Sequence, residues 1–326
     1  MDLFAQALLF VVIATAAFAG TGALLPFLRA RAIFDHPNER SSHNTPTPKG
    51  GGLALMAVVL AAWVGLGLYL ESGTFLTWAL PGVALVLAGL SWVDDLRELP
   101  PIFRFIAQIA AVTAIFLLRP APEAFFQGLL PGILDALLAG MIWVWFINLF
   151  NFMDGVDGIT GIETIIIGLG IALIGEGATA LLGGILASAA AGFLKWNWHP
   201  AKVFIGDVGS VPLGFLLGWL LLNMAGDGHW AAAIILPSYY LADATITLIR
   251  RTLKGEKVWR AHRQHFYQQA VQRGLSHASV AAGVALLGAL IVNLAWLAEH
   301  GWALPALSAT LVLTVVFLFL LKGRQS

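Results

Sequence analysis

Three short stretches concentrate the side chains suited to metal and proton chemistry. Asp94-Asp95 follows directly on the apolar run ending Ser91-Trp92-Val93. Two adjacent carboxylates at a helix C-terminus meet the negative end of the helix dipole, an unfavourable place for anions. Like charges side by side also push one proton affinity up, which suits a general base or a metal site. The plainer alternative is an interfacial acidic pair offset by Arg97. In the second stretch Asn148, Asn151, Asp154 and Asp157 recur at intervals of three. On an unbroken α-helix the first and last of these lie on opposite faces, so Gly155 and Gly158 are expected to end the helix and fold the rest into a turn. Amide and carboxylate oxygens at such a junction are hard ligands suited to Mg²⁺, although Asn, Asp and Gly are also ordinary turn residues. The third stretch, Gly206-Asp207-Val208-Gly209-Ser210, opens a predicted helix. There Asp207 is either a simple N-cap or part of a site, and the free N–H groups can receive a phosphate. Phe204, three residues earlier, is placed to stack on a base or to anchor at an interface.

Two further loops are polar enough to take part. Loop 250–278 carries seven basic residues with His262, His265 and His277. Without cysteine and without a clear third ligand it is not read as a zinc site. It reads as a basic patch for anionic lipid heads or as a phosphate clamp, with Arg263 forking onto a diphosphate. Loop 41–52, which holds His43 and Lys49, is rigid at Pro46 and Pro48 and open at Gly50, Gly51 and Gly52. That suits close backbone approach to a ligand, and a plain connector as well. Asp243 falls inside an apolar span, where a carboxylate is either part of a site or a helix-to-helix hydrogen-bond partner.

The elements that must position these residues are membrane helices. Apolar residues make up 59% of the chain and charged residues 11%, far from the quarter charged typical of soluble domains. Apolar stretches long enough for a bilayer are expected near 4–27, 51–70, 75–93, 102–118, 131–149, 159–175, 178–194, 209–224, 230–249, 279–297 and 303–321. This predicts an all-α polytopic bundle of about eleven helices, one integral-membrane domain over 1–326, and no transmembrane strands. Zero net charge implies no bulk attraction to nucleic acid. The absence of cysteine excludes disulfides and thiolate chemistry. The first apolar run lacks a basic leader and is read as the first span.

With eleven crossings, 17 of the 18 Lys and Arg fall in loops on one side, leaving Arg119 opposite. The positive-inside rule makes that side cytoplasmic, with the N-terminus outside and the C-terminus inside. Loops 28–50, 94–104, 148–159, 195–210 and 250–278 then share the cytoplasmic face, and the polar motifs all lie there. A secondary transporter would instead want broken helices near the midplane and internal repeats; no repeat is visible.

The ordered set H-x-x-P-x-P-x-G-G (from His43), D-D (Asp94-Asp95), N-x-x-N-x-x-D-G-x-D-G (from Asn148), F-x-G-D-x-G-S (from Phe204) and H-R-x-H (from His262) resembles the polyprenyl-phosphate N-acetylhexosamine-phosphate transferases. That superfamily includes WecA-type enzymes and MraY, the phospho-MurNAc-pentapeptide translocase. The resemblance runs from about residue 35 to 275. It implies a Mg²⁺-dependent enzyme, with Mn²⁺ as a substitute, that moves a sugar 1-phosphate from a UDP-sugar to undecaprenyl phosphate and releases UMP. By it, Asp94 and Asp95 match an essential acidic pair, while Asn151 and Asp207 match metal-holding positions, with Asp154 close by. Asp157 and Phe204 match positions that meet uracil. His262, Arg263 and His265 match a loop that engages the diphosphate and sugar, with His262 counted as catalytic alongside Asp94, Asp95 and Asp207. Arg104, His43 and Lys49 join the substrate-binding set. The expected setting is the bacterial inner membrane, with membrane lipid as a partner and a homodimer allowed. The late loop lacks the consecutive histidines of MraY, and Leu96 stands where that branch has Lys. Both favour the WecA- or WbpL-type branch that starts O-antigen or related surface glycans, with the phospho-MurNAc-pentapeptide reaction as the alternative.

Overall fold

The computed structural model describes residues 1–37, 42–43, 45–119, 124–257 and 262–323. Arg40, Arg260 and Arg324, which belong to the 17 basic residues placed on one side, and Ser41 and Asn44 of loop 41–52 lie outside the described residues. Among the described residues are thirteen α-helices and one two-stranded ribbon. The all-α polytopic expectation holds. The helices are α1 (Leu3–Ala30), α2 (Gly52–Tyr69), α3 (Leu80–Arg97), α4 (Pro101–Leu118), α5 (Gly132–Phe152), α6 (Ile159–Ile174) and α7 (Gly177–Asn197). They continue with α8 (Asp207–Gly226), α9 (Trp230–Ile235), α10 (Ser238–Leu253), α11 (Phe266–Gln272), α12 (His277–Leu297) and α13 (Ala303–Lys322).

Eight helical segments are long and apolar enough to cross a membrane. Every one of the eleven expected stretches is helical, yet the count differs for identifiable reasons. The segment from His277 to Lys322 counts once although it holds two of the expected spans, α12 and α13, which pack on each other on either side of a kink at His300 and Gly301, the latter at φ +88°. Helix α6 is shorter, with 16 residues. The expected span 230–249 is broken at Leu236-Pro237 into α9 and α10, where Pro237 has no N–H to continue the ladder.

Helix α8 is the axis of the bundle. It is buried along nearly its whole length, as expected for a helix apolar on all sides, and it packs on α2, α3, α5 and α6. Small residues let α5 approach closely. A Cβ on Gly218 would stand 2.6 Å from Trp143 Cδ1, and one on Gly214 2.9 Å from Phe150 Cβ. The Trp143 indole N–H donates to the Phe215 carbonyl at 2.8 Å. In contrast, α1, α4 and α13 present Leu3, Phe4, Leu117, Phe319 and Leu320 outward, a surface suited to lipid contact.

At one end of the bundle the first loop folds back on itself. Phe34–Asp35 (β1) pairs antiparallel with Thr47–Pro48 (β2), and Lys49 continues as a bridge to Phe204. The N–H groups of Gly50 and Gly51 both donate to the Phe204 carbonyl, and that of Gly52 to Ile205. Gly52 and Gly209 touch: a Cβ on Gly52 would lie 2.4 Å from Gly209 Cα. This contact seats the start of α2 against the start of α8.

Candidate active site

The end of α3, the starts of α4 and α8 and the end of α5 converge on one acidic cluster. The acidic pair is not at the last residue of its helix, because α3 runs on to Arg97. Its carboxylates diverge. Asp95 accepts from the Asp207 N–H at 3.0 Å and the Val208 N–H at 2.9 Å, so it caps α8 from another helix. Gly206, at φ +73°, has no room for a side chain there, since a Cβ would stand 2.7 Å from Asp95 Oδ2. Lys49 Nζ lies 2.7 Å from Asp95 Oδ1. Burial opposes the charge on Lys49, but Asp95 and Asp207 hold its ammonium above the ordinary lysine range.

Asp94 accepts from the Leu99 N–H at 2.6 Å and from Arg104 Nη1 at 3.0 Å. The same Arg104 nitrogen donates to Asp207 Oδ2 at 3.2 Å. Arg104 sits in the first turn of α4, which begins at Pro101, a favoured position for proline. Lys49 and Arg104, and not the Arg97 of the plainer alternative, are the counter-ions, and Arg97 is exposed. Asp207 is not the cap of its own helix either; Asp95 performs that task and leaves the Asp207 side chain facing Asn151 and Arg104.

Helix α5 ends at Phe152, earlier than Gly155 and Gly158 suggested. Gly155 is required because Tyr267, which donates to the Phe152 carbonyl at 3.1 Å, occupies the space a Cβ would take. Asn151 Nδ2 donates to Asp207 Oδ1 at 3.0 Å and to Ser210 Oγ at 2.9 Å. Asp154 accepts from Thr160 Oγ1 at 2.7 Å. Burial, reinforced by Asp207 and Asp95, pushes the Asp154 carboxyl up to about 7, against the Thr160 hydrogen bond and the charge of Lys49. Asn148 departs from the series: its amide donates to Gln108 Oε1 at 2.5 Å, toward α4.

Two cavities meet here. A polar one of about 320 Å³ is lined by His43, Lys49, Asn151, Asp154, Asp157, Phe204, Asp207 and His262, among others. A largely apolar groove of about 960 Å³ runs between α4 and α5 past Phe105, Val112, Gly140 and Val144 to Arg104. Asn151, Phe152 and Asp207 line both. Asp94 and Asp95 line neither cavity. Both are engaged with Arg104, Lys49 and backbone N–H groups.

The late loop splits. His262 lines the polar cavity; burial, with the charges of His265 and Arg251, pushes its imidazole down to about 4, so it is neutral at pH 7. His265 is only 4% exposed and does not line the polar cavity. Its Nδ1 bonds Asp243 Oδ1 at 3.1 Å, and the same carboxylate accepts from the N–H groups of Phe266 and Tyr267 at 3.0 and 3.2 Å. Asp243 therefore caps α11. Arg263 is exposed and does not line the cavity. The sequence carries no local signal for His199, Asn197 or Tyr267, and marks His277 only as one of the histidines in loop 250–278. Asn197 joins the Gly158 N–H to the Val203 carbonyl, both at 3.0 Å, and Asp157 meets His199 Nδ1 at 2.6 Å and His277 Nδ1 at 3.1 Å.

Four carboxylates (Asp94, Asp95, Asp154, Asp207) against Lys49 and Arg104 leave a cluster that is anionic when ionised. Hard oxygen donors with excess negative charge fit a divalent cation of the Mg²⁺ class. Fold and site together define a multi-pass membrane protein with an acidic centre at the head of an apolar groove. The model of the family described as glycosyl transferase family 4 matches residues 75–225. A Streptomyces coelicolor protein carrying a glycosyltransferase name is 31% identical over 300 residues, spanning 86% of this chain and 69% of its own. The decaprenyl-phosphate N-acetylglucosaminephosphotransferase of Mycobacterium tuberculosis is 28% identical over 284 residues, 75% of this chain and 70% of its own. A phospho-N-acetylmuramoyl-pentapeptide-transferase of Picosynechococcus is 38% identical over 208 residues, 58% of this chain and 55% of its own. The chain belongs to the glycosyl transferase family 4 enzymes.

Proposed function

We propose that this enzyme transfers an N-acetylhexosamine 1-phosphate from a UDP-sugar to undecaprenyl phosphate and releases UMP. Its setting is the cytoplasmic face of the bacterial inner membrane, at the start of O-antigen or related glycan synthesis. One observation carries the reading: the polar cavity and the apolar groove share Asn151, Phe152 and Asp207. A water-soluble nucleotide and a polyprenyl chain would enter from different solvents and bring their phosphates together at Asp207.

In the reaction a phosphate oxygen of the lipid attacks the sugar-linked phosphorus. The bond from that phosphorus to the UMP oxygen breaks, and UMP leaves with the electron pair. Anions must approach anions, so charge neutralisation is the main requirement. Arg104 lies where the groove reaches the acidic cluster and would receive the lipid phosphate; Lys49, in the polar cavity, would face the diphosphate. Asp207, Asn151 and Asp154 would hold Mg²⁺, which supplies Lewis-acid stabilisation of phosphoryl oxygens when bound. Phe204 and Asp157 line the same cavity and would take the uracil. Neutral His262 would serve as a hydrogen-bond partner of the phosphate or sugar.

The test is UMP release by purified protein given Mg²⁺, undecaprenyl phosphate and a panel of UDP-sugars that includes UDP-MurNAc-pentapeptide. Release that requires the lipid and a UDP-N-acetylhexosamine is expected, with the pentapeptide donor refused. Release indifferent to the lipid would overturn the reading, and preference for the pentapeptide donor would move the enzyme to the other branch.

A further inference from the structure

The Asp157 carboxylate sits in an arrangement that base binding alone does not explain. It is 6% exposed, and both oxygens are engaged by residues from remote parts of the chain. Oδ2 meets His199 Nδ1 at 2.6 Å and accepts from the Ala201 N–H at 3.2 Å. Oδ1 meets His277 Nδ1 at 3.1 Å. The other ring nitrogen of His277 lies 3.0 Å from the Ser42 carbonyl. A carbonyl accepts only, and so does an ionised carboxylate. His277 satisfies both when each ring nitrogen carries a proton; the Asp157 N–H, at 3.4 Å from Nδ1, is the longer contact. The imidazoles of His199 and His277 lie 5.2 Å apart, centre to centre.

Asp157, His199 and His277 also meet the spacing of a metal triad, with ligand atoms within 4.8 Å of one another. The individual distances argue against an ion. Ligands about 2.0–2.1 Å from zinc in a tetrahedral shell stand about 3.3 Å apart, whereas His199 and Asp157 approach to 2.6 Å. That separation belongs to a shared proton in a charge-assisted hydrogen bond.

We infer that His199 and His277 are positioning residues that clamp Asp157 as an oriented, ionised carboxylate and so set the enzyme's selectivity for uracil over cytosine. The inference rests on the placement of the base at Asp157 and Phe204 proposed above. Uracil presents an N3–H donor, which a carboxylate accepts. Cytosine presents a lone pair at the same atom and meets repulsion. The discrimination works only while Asp157 stays unprotonated and fixed, and the clamp supplies both conditions. Burial by itself would raise the Asp157 carboxyl, yet the hydrogen bonds from His277 and His199 hold it below the usual carboxylate range. Through Ser42 the clamp also orders the backbone beside His43, whose ring meets Phe204 edge-on at 4.9 Å. The whole base end of the cavity therefore hangs on two histidines.

UMP and CMP serve as probes that do not depend on the sugar. Binding of each is measured calorimetrically on the full-length protein in detergent with Mg²⁺, alongside the thermal midpoint and steady-state UMP release. The wild type should favour UMP over CMP by at least tenfold. His199→Ala and His277→Ala should weaken UMP by about tenfold, leave CMP nearly unchanged, and raise KM for the UDP-sugar more than they lower kcat. His199→Asn and His277→Asn, which place an amide N–H near the lost Nδ1, should recover part of the UMP preference. Equal loss of UMP and CMP, or no loss of either, would overturn the clamp. So would one equivalent of zinc in the wild type that is lost from the variants. If the wild type binds neither nucleotide, the proposed function itself fails, and that outcome is distinct from a failed clamp.

Discussion

At the scale of single residues, charge bookkeeping in the acidic cluster makes two expectations. Asp207 faces both cavities, so Asp207→Asn should lower kcat by at least 100-fold, a loss of several kcal/mol of transition-state stabilisation, with an unchanged thermal midpoint in detergent. Full activity would show that this carboxylate plays no part in transfer. The second concerns Asp154, whose folded-state proton affinity is pushed up to about 7 from 3.8. A carboxyl raised on folding favours the fold while protonated, and that contribution drains away as pH climbs from about 4 through 7. Metal-free protein should therefore unfold at a lower temperature at pH 8 than at pH 5. Added Mg²⁺ should recover the difference mainly above pH 7, where the carboxylate is ionised. Asp154→Asn should flatten both trends, as followed by thermal scans with and without EDTA. The residues gathered here were legible because Asn151, Asp154, Phe204 and Asp207 sit in compact local motifs. The clamp on Asp157 was not, since His199 and His277 lie 42 and 120 positions away, and no local pattern announces such a pairing. Asp243 was visible as an anomaly; its partners 22 to 24 residues on turned it into a helix cap.

At the scale of elements, the decisive feature is that α8 is capped from outside its own sequence. Asp2 caps α1 locally, accepting from the Ala5 N–H at 2.7 Å on an exposed surface. Asp95 does the same for α8 from a position 112 residues earlier, fully buried and paired with Lys49. An ordinary cap is worth about 0.5–2 kcal/mol, and loss of a buried partner adds the cost of a stranded charge. Asp95→Ala should therefore depress the thermal midpoint far more than Asp2→Ala, and Asp95→Ala with Lys49→Met should recover part of the loss. Equal shifts for the two aspartates would show that the latch adds nothing. Helix boundaries near Asp95 and Phe152 were misjudged by about a turn. Apolar periodicity marks where a helix is buried; hydrogen bonds from distant segments decide where it stops. The break at Pro237 was readable from proline chemistry, yet span length alone had absorbed it into one crossing.

For the whole molecule, the sharpest expectation is sidedness. The cluster is built from helix ends that alternate along the chain (the end of α3, the start of α4, the end of α5 and the start of α8), as continuous threading through a bilayer requires. Since the native chain lacks cysteine, single cysteines at 97, 202 and 264 should label only from the cytoplasm, and those at 73 and 227 only from outside. Labelling of 97 and 202 from opposite faces would exclude one shared site. Composition made the bundle legible from the start. The groove between α4 and α5 was invisible to it, because a lipid-facing wall and a groove wall are equally apolar in sequence. Whether that groove carries the lipid to Asp207 is decided most directly by obstructing it. Gly140 lines it, and a Cβ there already meets Phe116 at 3.3 Å. With Gly140→Phe, KM for undecaprenyl phosphate in the UMP-release assay should rise at least tenfold while calorimetric UMP affinity stays at the wild-type value. Unchanged lipid dependence, or loss of UMP binding in a folded protein, would contradict a site where groove and cavity meet.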